Sequence, residues 1–202
     1  MNQLKGPARP WMPDLYKQFS SSFSGKLNLL IGPTHQWKAA FWFKQGQMVN
    51  MNYHQQEGKT AFFNFIYDFA AALEPPDEKL HPSLALAWVA EPELFLGVAC
   101  WAWNWADFCA AWAQQKQKAQ ALALKAPRPE YFLRTVAIPD QKHSSLPPLA
   151  QEILAALKTT PKMEDLYALD KWAAGELTQQ LVALKQQGLL KAYVARATSP
   201  SE

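Results

Sequence analysis

Between Met48 and Tyr53 apolar and polar residues alternate, the period of a half-exposed strand. Gly25 to Ile31 and Trp37 to Phe43 read as two further strands. Gly32-Pro33 stops the first of them, and Gly46 stands where a tight hairpin needs a positive φ. From Lys59 to Leu73 the period lengthens. Phe62, Phe65, Ile66 and Phe69 fall three or four residues apart, one apolar stripe of a helix that wants a sheet to lie on. Pro13 to Ser20 predicts a short helix with Leu15, Tyr16 and Phe19 on one face. Up to the paired prolines Pro75-Pro76, which halt a helix, the chain therefore predicts helix, three-stranded antiparallel meander, helix.

The middle of the chain is less regular. Pro82 to Val89 reads as a short strand or a helix turn. Pro92 and Glu93 suit the first turn of a helix, and an Ala/Leu/Gln/Lys-rich composition carries that helix to about Lys125. Within it Trp101, Trp105, Phe108 and Trp112 recur with helical spacing as one seam. Pro127 and Pro129 break the pattern, Glu130 to Ile138 reads as a strand or an extended linker, and residues 139–148 form a Pro/Ser connector.

The last part is clearer. Leu149 to Leu157 predicts a helix, and Thr160-Pro161 predicts the N-cap and first position of a second one ending near Leu169. Trp172 to Gln187 predicts a third, with Leu177, Leu181 and Leu184 on one stripe. Gly188 sits at its C-cap position, and Leu189 to Ala195 predicts a strand. Three helices, a glycine and a strand follow the order of a winged-helix unit. The expectation is thus an α+β chain with three parts. Residues 11–80 form a meander with flanking helices, 81–142 a Trp-rich helical connector, and 143–197 a winged-helix-like unit.

Composition narrows the classes. The 202 residues carry a net charge of +3, too slight a basic excess to announce nucleic acid, and nine Trp supply large packing surfaces. No apolar run of membrane-spanning length occurs, since Glu91, Glu93, Asn104 and Asp107 interrupt the most apolar stretch, and residues 1–10 lack the apolar core of a signal peptide. Cys100 and Cys109 on one helix would face opposite ways, out of reach of a disulfide, and two reduced thiols fit a cytoplasmic protein.

Gly58-Lys59-Thr60 has the ending of a phosphate-binding P-loop, whose first glycine belongs five residues before Gly58. Tyr53 stands there and cannot take the turn a glycine takes, and the strand upstream is half-exposed where the motif needs a buried one. The triplet reads as a glycine-containing loop leading into a helix.

Three stretches together, Phe23 to Leu29, Ala40 to Met51 and Glu57 to Phe62, resemble the PATAN type of bacterial signalling domain. Such domains show a strand with a small-Gly-basic-Leu start, a hairpin glycine and a helix-opening glycine, matched here by Gly25, Gly46 and Gly58. The resemblance covers residues 15–73, and the segment ending in Leu184 to Leu190 also looks like those that follow such domains. Members often stand beside response-regulator receivers, and this chain departs from that arrangement in carrying no receiver of its own. The resemblance implies signal transduction by protein–protein contact, in two-component or motility pathways, and brings no catalytic residues with it.

The chemical candidates are few. His35, His54, His81 and His143 show no ligand spacing, no nucleophile motif is present, and no catalytic, cofactor or metal residue is expected. The Trp101, Trp105, Phe108 and Trp112 seam is either core or an interaction surface, toward a response regulator, another protein or a second copy of the chain. The alternative function is a winged-helix transcription regulator. Against it, basic and acidic residues balance over 144–202, although Gln179, Gln180, Gln186 and Gln187 could hydrogen-bond bases. A third class is a small-molecule sensor with an aromatic pocket near Trp37, Trp42 and Tyr53. The expected function is a non-enzymatic, cytoplasmic signalling adaptor.

Overall fold

The structure is a computed structural model that describes residues 12–31, 36–73, 86–137 and 144–194. The chain forms two units, Met1–Ala119 and Gln120–Glu202.

In the first unit α1 (Met12–Ser20) leads into β1 (Gly25–Ile31), β2 (Gln36–Lys44), β3 (Gln47–Tyr53) and the two-residue β4 (Gln56–Glu57). Gln45 and Gly46, both at positive φ, make the two-residue turn between β2 and β3. His54 and Gln55 repeat the device between β3 and β4. Next come α2 (Gly58–Leu73), β5 (Leu86–Pro92) and α3 (Trp105–Ala123), which belongs to this unit as far as Ala119. All neighbours in the sheet are antiparallel, in the order β4-β3-β2-β1-β5. The meander expected from the sequence is therefore the central part of a larger sheet. β5, which falls within the expected connector, returns to pair with β1 from Gly25–Pro92 to Ile31–Leu86.

One face of this sheet makes the core. Leu27, Leu29, Phe41, Phe43, Met51 and Tyr53 are buried there. The expected stripe of α2 lies on them, with Phe65 edge-on to Phe41 at 5.3 Å and to Tyr53 at 5.7 Å. Leu15 of α1 is buried, and Phe19 meets Phe43 at 5.0 Å. Burying each such ring removes apolar area worth roughly 1.5–3 kcal/mol. The Tyr53 hydroxyl, carried into this core, bonds the Asp68 carboxylate of α2. The polar tip of a buried ring is thereby satisfied.

The second unit contains β6 (Phe132–Thr135), α4 (Pro148–Ala156), α5 (Met163–Ala168), α6 (Ala174–Gln186) and β7 (Leu190–Tyr193), with β6 and β7 antiparallel. Its core is aliphatic: Leu133, Ile153, Leu154, Met163, Leu166, Leu177, Leu181 and Leu184 are all buried. Gly188 ends α6 as the sequence predicts. Leu189 N–H donates to the Leu184 carbonyl and Gly188 N–H to that of Lys185, closing the helix while Leu189 packs into the same core as Leu184.

Two boundaries differ from expectation. Thr160-Pro161 does not cap α5. That helix begins at Met163, and Pro161 instead accepts a hydrogen bond from Leu133 N–H while Met163 N–H donates to Tyr131, so the segment pairs with β6. The third helix starts at Ala174 and not at Trp172, after Asp170 takes a positive φ.

Candidate functional site

The aromatic seam divides in the structure. Trp101 is not on a helix. The helix expected from Pro92 begins at Trp105, because Asn104 and Asp107 cap it reciprocally: Asp107 N–H donates to Asn104 Oδ1 at 3.0 Å and Asn104 N–H to Asp107 Oδ2 at 3.2 Å. That four-residue signal was present in the sequence and marks the start better than Pro92 does. Phe108 and Trp112, 0% and 3% exposed, belong to the core, where both meet Phe62. Trp105 is half-buried against Tyr16 and Phe19 of α1 at 5.1 and 5.4 Å.

Trp101 and Trp103 belong to an extended segment that runs along β3. Met48 and Trp103 exchange backbone hydrogen bonds of 2.9 and 3.0 Å, and Cys100 N–H donates to the Val49 carbonyl at 2.8 Å. The two indoles stack at 4.2 Å between centroids, 18° from parallel, and Phe62 stands edge-on to both. Cys100 likewise precedes the helix that holds Cys109, and neither is in a disulfide.

The face of the sheet opposite the core is polar. The register sets Lys26 beside Trp42 and Trp42 beside Asn50, with Asn28, Ala40 and Asn52 forming the next row. A groove of about 460 Å³ lies over Lys26, Asn28, Trp42, Asn52 and Glu57. Trp42 Nε1–H donates to Asn52 Oδ1 at 2.6 Å, and Asn52 Nδ2 donates to Glu57 at 3.1 Å. Lys26 bridges Glu91 at 2.9 Å and Glu93 at 3.1 Å. Its hydrogen bonds to Glu91 and then Glu93 raise the ammonium pKa above its ordinary value, and the same bond from Lys26 holds the Glu91 carboxyl below its own. The groups of this groove thus largely satisfy one another. Trp42 and Tyr53 point to opposite faces of the sheet, so the aromatic pocket expected from them does not form; the Trp37 side chain lies outside the described residues.

After β5 the chain crosses this polar face. Phe95 turns in onto Trp42 at 5.4 Å, and the Val98 carbonyl accepts a hydrogen bond from Asn50 Nδ2 at 3.5 Å. The rest of the segment is exposed, with Leu94, Leu96 and Val98 at 78%, 91% and 86%. No periodic signal marked this stripe, because it lies in a segment whose composition reads as helical.

Among the described residues no helix is long and apolar enough to cross a membrane, and no group of three or more His, Cys, Asp or Glu could hold a metal ion. His54 packs on Tyr53 in the β3–β4 turn; the other three histidines lie outside the described residues. Comparison with protein-family models, curated proteins and solved structures finds no match to this chain.

Proposed function

We propose that this chain is a non-enzymatic, cytoplasmic signalling adaptor that works by protein–protein contact. The observation that carries the reading is the stripe of Leu94, Leu96 and Val98. Three large aliphatic side chains lie exposed within five residues of one another, and apolar side chains so clustered on a folded protein support a docking role more than scattered ones do. The segment is held by the Phe95–Trp42 contact and the hydrogen bonds of Val98 and Cys100 to the sheet, so little ordering entropy is lost on binding. The PATAN-like features of residues 15–73 favour the same reading and point to two-component or motility signalling. The balance of charge over residues 144–202 favours a protein partner over duplex DNA.

The test is a triple substitution, L94S/L96S/V98S, in the full chain. These side chains are exposed, so the variant keeps the wild-type circular dichroism and melting temperature. Affinity capture from the native host followed by mass spectrometry should recover a partner with the wild type and lose it with the variant. Equal recovery by both proteins refutes the assignment of this stripe.

A further inference from the structure

A second groove of about 410 Å³ opens on the other side of the Trp101–Trp103 segment, within the first unit. Its apolar wall is the stacked indole pair with Phe62 behind it, and its polar rim is Lys59, Gln114 and Lys118. Three properties separate it from the groove over Trp42. Its lining holds no acidic side chain. Lys59 and Lys118 are exposed and have no acidic partner among the described residues, whereas Lys26 already holds two carboxylates. The segment that carries the indole pair is fixed by backbone bonds to β3, so both indoles line the groove before any ligand arrives.

We propose that this groove binds a mononucleotide-sized ligand, a planar heteroaromatic ring bearing a phosphate monoester. A ring lying against the indoles gains the stacking energy that makes aromatic platforms tolerant of any base, on the order of 1–3 kcal/mol per base. A phosphate monoester carries about −1.5 to −2 charge near neutral pH, which two ammonium groups match. The volume lies within the roughly 300–1,000 Å³ of small-molecule sites. Gln114 supplies an amide at the rim, able both to donate and to accept. Lys59 therefore meets phosphate as a point charge on the first turn of α2, without the glycine-rich curl that Tyr53 rules out. This reading is independent of the protein contact at Leu94–Val98.

Isothermal titration of the full chain with AMP, GMP, UMP and flavin mononucleotide tests it. At least one of the four should bind, with an affinity that falls as salt rises from about 0.01 to about 1 M, where the screening length shrinks from ~30 to ~3 Å. K59E/K118E changes two exposed side chains, leaves the fold intact by circular dichroism, and should weaken binding about tenfold or more, the scale of losing charge-assisted contacts. W103A tests the ring contact and should weaken binding by a similar factor if it keeps the wild-type spectrum. Binding by none of the four compounds overturns the proposal. So does binding that K59E/K118E leaves unchanged. Adenosine bound as tightly as AMP removes the phosphate half of the site, and inorganic phosphate bound as tightly as AMP removes the ring half; either result overturns it.

Discussion

Rings fill the core of the first unit: Phe41, Phe43, Tyr53, Phe62, Phe65 and Phe108 are among its largest fully buried side chains. The second unit fills its core with Leu133, Ile153, Leu154, Leu166, Leu177, Leu181 and Leu184. The difference follows from what each core must span. A five-stranded sheet overlaid by α1, α2 and α3 leaves a broad layer that flat side chains cover in edge-to-face pairs, such as Phe65 on Phe41 and Phe19 on Phe43. Three short helices beside a two-stranded ladder leave a narrower space that leucines fill in favoured rotamers. The ring-based unit also carries both candidate surfaces: Phe95 on Trp42 holds the segment of Leu94, Leu96 and Val98, and Trp101–Trp103 beside Phe62 form a groove wall.

The largest expected effects come from emptying each core. Phe65→Ala removes a ring at 0% exposure and should cost about 3–5 kcal/mol; Leu181→Ala, equally buried, should cost about 2–5 kcal/mol. Urea titrations followed by circular dichroism measure both. If Phe65→Ala costs less than Leu181→Ala, the aromatic layer repacks more easily than the comparison holds.

The next test uses one glycine from each unit. Gly58 at φ +63° and Gly188 at φ +72° both occupy backbone that L-residues avoid, at a cost of roughly 1–2 kcal/mol for alanine. A Cβ on Gly188 meets nothing within 4 Å, whereas one on Gly58 would stand 2.6 Å from Cys100 Sγ. Gly58→Ala should therefore destabilise more than Gly188→Ala, and the Cys100→Ala background should remove the excess. An excess that persists in that background means the strain at Gly58 is in the backbone alone.

The smallest effect is electrostatic and confined to the first unit. Glu91 has its pKa lowered by Lys26, so its contribution is present above the ordinary carboxylate value near 4.5 and is lost as pH falls through the lower folded value. Lys26 has its pKa raised, so its share is present below about 10.5 and lost as pH rises through the higher folded value. Both groups face solvent, and the effect is small and erased by salt. Melting temperatures of wild type and Glu91→Gln should converge at acid pH. A difference that stays constant from pH 3 to 7, roughly the range spanning carboxylate titration, places the role of Glu91 elsewhere.

Sequence alone determined the elements whose signals are local. The stripe of α2 and the C-cap at Gly188 are set by side-chain period and by glycine's tolerance of positive φ, and both stand in the structure as read. The α+β class followed from such local signals in the strands of the meander and the helices together. Tertiary structure decided the rest. β5 is a strand because β1 offers it an unpaired edge, a fact absent from residues 86–92 themselves. Trp101 left the helical seam because the Asn104–Asp107 cap and the backbone of β3 compete for the residues before it. The seating of the Leu94–Val98 segment on Trp42 and Asn50 and the gathering of Lys59, Trp101, Trp103 and Lys118 at one groove join positions far apart in the chain. No local period encodes such proximity, since it is fixed only when the sheet and its helices bury their shared face.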